Sequence, residues 1–153
     1  MPHLECALTT AADMEAWGGK LAAQLQDTRL IYLHGPLGAG KTTLVRGMLR
    51  ALGHSGAVKS PTFTLVEPYE FVSRPFYHFD LYRLNDPEEL EFVGIRDYLR
   101  ANGVCVVEWA ERAQGLLPTP DLDIIIALTE TGRMMRITSL SARGKASLDT
   151  LTC

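Results

Sequence analysis

Residues 35–42 read Gly35-Pro36-Leu37-Gly38-Ala39-Gly40-Lys41-Thr42, a full match to G-x-x-x-x-G-K-[ST]. The chemistry of phosphate binding accounts for each residue type. Glycines let the backbone wrap closely with its N–H groups turned inward. Together with the start of the following helix, those groups make an anion site. Lys41 can bridge the β- and γ-phosphates as a point charge. Thr42 offers a hydroxyl to Mg²⁺, an ion that keeps several waters and leans on phosphate oxygens. Thr43 is placed to meet the α-phosphate. The motif points to a nucleotide with Mg²⁺; it does not choose among kinases, GTPases and ATPases.

Phosphoryl transfer also needs a carboxylate near the metal and a group that orients the nucleophile. Two acids stand at the ends of apolar runs. Glu108 follows Val104-Cys105-Val106-Val107, and Asp80 follows Phe76-Tyr77-His78-Phe79. The Val-rich run reads as the more central strand. Glu108 is therefore assigned to Mg²⁺, and Asp80 to a second position beside the metal or to orienting the attacking water. The alternative for either is a solvated acid at a strand end. Ser60-Pro61-Thr62 offers two hydroxyls between the loop's helix and the next strand, as a switch over the γ-phosphate or as a plain turn. Trp109 either flanks the nucleotide or packs. His78 alternates with Asp80 on one strand face and reads as a satisfied structural group. His3, His34 and His54 have no partners at metal-ligand spacing.

Positioning such groups takes a strand before the loop and a helix after it. Leu30–Leu33 is a short apolar run that reads as a buried strand, and Lys41–Leu52 as a helix closed by Gly53. Ahead of them, residues 4–8 suggest a strand, and Thr10 with Asp13 suggests a capping box for a helix over Ala11–Leu25. Residues 62–71 and 76–82 predict an antiparallel hairpin across the turn-like stretch 72–75. Asp86-Pro87-Glu88-Glu89 predicts a helix start, and a short helix follows over Ile95–Leu99. Val104–Val107 reads as a buried strand; Leu122–Leu128 and Arg133–Leu140 read as a final pair of strands. The resulting class is α/β: a single P-loop NTPase-like domain with a mixed sheet, parallel at its core, antiparallel at its extensions and flanked by helices. The division expected is a domain over 1–141 and a loose, polar C-terminal tail over 142–153.

The length of 153 residues fits one domain. The net charge of −3 argues against tight unaided binding to nucleic acid, which needs many cations on phosphates. Cys6, Cys105 and Cys153 are odd in number and far apart in sequence, and without a C-x-x-C pair neither a zinc ribbon nor a thioredoxin-like motif is available. Cys105 reads as a small core residue. The start has no leader-like pattern and no apolar run reaches membrane-spanning length, so a reducing cytoplasm is the expected compartment. There is no N-K-x-D sequence and no D-x-x-G after the loop, which speaks against a GTPase and for adenine. A small-molecule or nucleoside kinase is a second reading, although Arg83, Arg96, Arg100, Arg133 and Arg136 are scattered rather than gathered as a lid. A nucleotide-gated binding module without hydrolysis is a third.

Five ordered strings, GPLGAGKTTLVRG (35–47), VKSPTFTLVEPY (58–69), HFDLYRL (78–84), EELEFVGIRDYL (88–99) and VVEWAER (106–112), together resemble the bacterial TsaE family, formerly YjeE. The resemblance runs from about residue 10 to residue 140. It implies a cytoplasmic ATPase that supports threonylcarbamoylation of adenosine 37 in tRNAs reading ANN codons. It implies work beside the transferase subunits TsaD and TsaB, with tRNA met only through that complex, no membrane, and no transfer of the group by this chain. By matching position it implies ATP and Mg²⁺ as ligands and Lys41, Asp80 and Glu108 as catalytic residues. Gly35, Pro36, Leu37, Gly38, Ala39, Gly40, Lys41, Thr42, Thr43, Ser60, Thr62 and Trp109 are then nucleotide contacts, and Thr42, Glu108 and Asp80 hold the metal. One departure is Pro36, where the family often has an acid; the lost N–H sits at the loop's edge, and a small effect is expected.

Overall fold

In the computed structural model, which describes residues 2–71 and 74–153, the chain runs β1 (His3–Leu8), α1 (Ala11–Ala23), β2 (Leu30–His34), α2 (Lys41–Ala51), β3 (Val66–Tyr69), β4 (Phe76–Asp80), α3 (Glu88–Val93), α4 (Ile95–Arg100) and β5 (Val104–Glu108). A 3₁₀ turn at Ala110–Ala113 leads to β6 (Leu122–Thr129), β7 (Gly132–Ser139) and α5 (Ala142–Leu148). The strands form one sheet in the order β1-β7-β6-β2-β5-β4-β3. β6, β2, β5 and β4 are mutually parallel; β7 pairs antiparallel with β6 and β1 antiparallel with β7 on one side, and β3 pairs antiparallel with β4 on the other. The expected parallel core with antiparallel extensions is thus present.

The parallel strands are apolar on both faces, as strands covered on both sides must be. Ile31, Leu33, Val104, Val106, Ile124 and Ile126 share one core with Trp17 and Leu21 of α1, Leu44 and Met48 of α2, and Leu148. The alternate residues Leu30, Cys105, Val107, Tyr77 and Phe79 face a second core with Leu90 of α3 and Ile95 of α4. Burial pushes the Cys105 thiol up to about 12, which suits an inert core position. β2 lies between β5 and β6, so the loop that leaves its C-terminal end sits where the sheet turns outward in both directions, the usual crevice of an open α/β sheet.

Local signals in the chain explain several boundaries. The Thr10 side chain accepts the Asp13 N–H, and the Asp13 carboxylate returns the contact to the Thr10 N–H, completing the capping box of α1. Asp86 Oδ1 accepts the Glu88 N–H at 3.0 Å at the start of α3. Residues 62–65 are a turn rather than strand, and Leu65 takes a left-handed φ of 68°. The hairpin of β3 and β4 forms as expected, with Val72 and Ser73 of its turn outside the described residues.

The expectation of a loose tail after Ser141 is corrected. Ser141 caps α5 by accepting the Gly144 N–H, and Leu148 and Leu151 are buried. Asp121 explains the docking: its carboxylate accepts N–H groups of Arg29 and Leu30 and the Ser141 hydroxyl at 2.6 Å. One carboxylate thereby joins the start of β2 to the start of α5. Beyond α5, Cys153 forms a disulfide with Cys6 on β1, across 147 residues. The sequence spacing hides this pair, because only the fold brings the last residue to the edge strand. Closing so long a loop restricts the unfolded chain. Cys6→Ser is expected to lower the unfolding free energy by about 2–4 kcal/mol. Urea melts with and without reductant check this. Wild type should fall to the variant's level on reduction, and the variant should not respond; equal midpoints for oxidised wild type and variant would refute it.

Candidate functional site

Between β2 and α2 the chain makes the loop of residues 35–40. Gly38 and Gly40 adopt left-handed φ values of 80° and 108°, which only glycine takes without strain. Gly40 caps α2 without any side-chain acceptor, so the first-turn N–H groups of the helix stay available to an anion. Lys41, buried at the helix start, donates to the Gly35 carbonyl at 2.6 Å. Its Nζ also lies 3.8 Å from Glu108 Oε1 and 4.7 Å from the centre of the Trp109 ring.

Two acids reach the same place from neighbouring strands. β4 and β5 are parallel with Asp80 opposite Glu108, so both carboxylates leave the sheet at the same level and on the same face. Both are buried. Asp80 Oδ2 accepts the hydroxyls of Ser60 and Thr62, and Oδ1 accepts the Tyr82 N–H at 3.0 Å. The 60–62 segment is thereby tied down beside the loop. Trp109 follows Glu108 with a left-handed φ of 59°, a conformation rare for a bulky residue and characteristic of constrained sites. The result is a cleft of about 470 Å³ that brings together Lys41, Thr42, Thr43, Ser60, Thr62, Asp80, Glu108 and Trp109, with Leu37, Gly38 and Gly40 at its loop side. Gly35 and Pro36 line a smaller adjoining recess with Lys41 and Trp109, while the Ala39 side of the loop faces another beside Arg133.

A family model described as "Threonylcarbamoyl adenosine biosynthesis protein TsaE" matches residues 8–136 of this chain. A Haemophilus influenzae protein named for that biosynthesis is 53% identical over 116 residues, 76% of this chain and 73% of the relative. The chain belongs to the TsaE family. A Bacillus subtilis TsaE is 37% identical over 126 residues, covering 82% of this chain and 78% of that one. The crystal structure of Bacillus subtilis YdiB superposes with a TM-score of 0.80 at 30% identity, covering 97% and 93% of the two chains.

In this TsaE chain the fold adds groups that motif reading passes over. Arg133 on β7 donates from Nε to the Ala39 carbonyl at 3.0 Å and from Nη2 to the Gly38 carbonyl at 3.1 Å. It therefore braces the phosphate loop from a hairpin strand more than 90 residues away. With Thr10, Met14 and Thr43 it also lines the recess at the far end of the loop. His78, read as structural, donates from Nε2 to Glu108 Oε2 at 2.6 Å. Tyr82 packs its ring 5.0 Å from that of Trp109.

His34, at the end of β2, is a further titratable group near the loop. Its Nε2 meets Asp123 Oδ1 at 2.6 Å and its Nδ1 lies 3.6 Å from Glu111. The hydrogen bond to Asp123 holds its pKa above the usual histidine value, with burial and Lys41 opposing. The folded state thus favours the protonated ring. That contribution is complete below about pH 6.5 and is lost as pH rises through the raised folded value. NMR titration of the His34 ring should find a midpoint above 6.5 that drops in Asp123→Asn; an unchanged midpoint in that variant would contradict the assignment.

Proposed function

We propose that this chain binds ATP with Mg²⁺ and hydrolyses it as the ATPase of threonylcarbamoyladenosine formation at adenosine 37 of tRNA. It would act in the cytoplasm beside the TsaD and TsaB subunits, where a reducing milieu would open the Cys6–Cys153 bond, without transferring the group itself. The observation that carries the ATPase reading is the convergence of Lys41, Thr42, Asp80 and Glu108 on one cleft at the N-terminus of α2. The biosynthetic role rests on the family, whose members carry that pathway in their names.

The donors present fit Mg²⁺. Thr42, Asp80 and Glu108 offer only hard oxygens, and among the described residues no sulfur or imidazole lines the cleft. Thr42 and Glu108 are the residues that would hold the ion, with Asp80 beside them. When bound, Mg²⁺ supplies charge neutralisation at the transferring phosphate. The chain's own groups do the rest. The loop amides and Lys41 hold the phosphates. Asp80 keeps Ser60 and Thr62 against the cleft, where their hydroxyls can orient the terminal phosphate or the attacking water. Tyr82 and Trp109 wall the opening against bulk water. The acidic net charge suits a subunit that meets tRNA through its partners.

A second reading has one observation in its favour. A cleft of about 640 Å³ beside His54, Lys59 and Tyr69 shares Ser60 and Thr62 with the first, where a kinase would seat an acceptor. Phosphate release from ATP by the pure protein, alone and with the TsaB–TsaD pair, separates the two. Partner-stimulated release supports the ATPase. Release that stays at background, with label passing to an added nucleoside or small alcohol, would replace it by the kinase. Background release with no transfer would leave a nucleotide-gated binding module.

A further inference from the structure

His78 lies in the middle of the sheet and is fully buried. It pairs in register with Val106, so its ring projects on the same face as Glu108 and reaches that residue diagonally across the parallel strands. Its Nε2 stands 2.6 Å from Glu108 Oε2. Its Nδ1 has no hydrogen-bond partner among the described residues. A carboxylate that holds a metal can only accept, so Nε2 donates to it, while Nδ1 stays without a partner. That is an uncommon arrangement for a buried imidazole that merely packs, because a buried polar atom without a partner costs free energy. All of the ring's hydrogen bonding is spent on one atom of one acid.

The other oxygen of that acid is not held by the ring. Glu108 Oε1 is the atom 3.8 Å from Lys41 Nζ. Holding Oε2 with a rigid ring therefore decides which oxygen the carboxylate offers and stops it from turning. A single fixed oxygen suits Mg²⁺, which demands near-octahedral geometry and tolerates little ligand freedom. Groups that hydrogen-bond a metal's ligands govern affinity in this way.

We infer that His78 is a positioning residue: through Nε2 it locks Glu108 so that Oε1 alone is presented to Mg²⁺. This rests on the proposed assignment of Glu108 to the metal, and the test separates the two. ADP affinity is measured by calorimetry with Mg²⁺ and with EDTA, for wild type, Glu108→Gln, His78→Leu, His78→Gln and His78→Asn. Glutamine can place an amide N–H near the position of Nε2; leucine has no donor, and asparagine is too short to reach.

In EDTA all His78 variants should bind ADP as wild type does. The tightening that Mg²⁺ adds should shrink about 10–100-fold in His78→Leu and His78→Asn and return in His78→Gln. If leucine fails to fold, the glutamine–asparagine pair carries the comparison. A wild-type Mg²⁺ effect in both the leucine and asparagine variants, or in asparagine alone if leucine does not fold, would overturn the positioning role. So would glutamine failing as completely as asparagine. A Mg²⁺ effect that survives Glu108→Gln would instead overturn the metal assignment beneath it, and the inference with it.

Discussion

Lys41→Ala is expected to cut partner-stimulated ATP turnover by about 10²–10³-fold, the usual loss when one preorganised charge is removed from a developing phosphate or oxyanion. The structure makes this side chain hard to replace. Lys41 is held between the Gly35 carbonyl, Glu108 and the face of Trp109, so its charge is aimed before any ligand arrives. Alanine removes the charge and leaves Glu108 with the His78 hydrogen bond but without its Lys41 ion pair. The fold should survive, because the ammonium belongs to the cleft and α2 keeps its buried Leu44, Val45 and Met48. Turnover measured beside a thermal melt checks both halves. More than a tenth of wild-type turnover in a folded variant would sink the role given to Lys41.

Gly47→Ala should be among the most destabilising single changes, costing about 3 kcal/mol. α1 and α2 cross at this point with backbone against backbone. A Cβ on Gly47 would stand 2.0 Å from the Glu15 carbonyl oxygen, and one on Gly18 would stand 2.3 Å from that of Leu44. No side-chain rotation relieves a clash with a carbonyl, so the helices would have to separate and open the core around Trp17 and Met48. Gly19→Ala is the matched control. Its nearest neighbour is the Ala51 Cβ at 3.7 Å, an ordinary contact, and helix propensity then favours alanine by up to about 1 kcal/mol. Denaturant unfolding of the two variants gives the comparison. Similar stability for both would mean that the crossing yields more easily than its geometry implies.

The parts of the fold that announce themselves in sequence are those whose signals are local. The loop glycines, the apolar run of β2 and the capping box of α1 each lie within a few residues of what they specify. Residues 62–65 mislead because threonine and phenylalanine favour strands, while the turn is set by contacts of Ser60 and Thr62 with Asp80 on β4. α5 is hidden because its burial depends on Gly144 lying against the Asp121 backbone, not on a long apolar stripe. The candidate site divides in the same way. Asp80 and Glu108 are legible as acids ending apolar strands. The link from His78 to Glu108 needs the register of two parallel strands, and the brace from Arg133 needs a hairpin folded back onto the loop. Neither has a spacing that could be read along the chain.

The bond between Cys6 and Cys153 also changes what kind of object the oxidised chain is. From residue 6 to residue 153 the polypeptide is a closed ring of backbone and sulfur. Cutting that ring once, in any surface loop, cannot release a fragment. A singly nicked molecule would keep its full mass on a non-reducing gel and part into two pieces only when the sulfur link is opened.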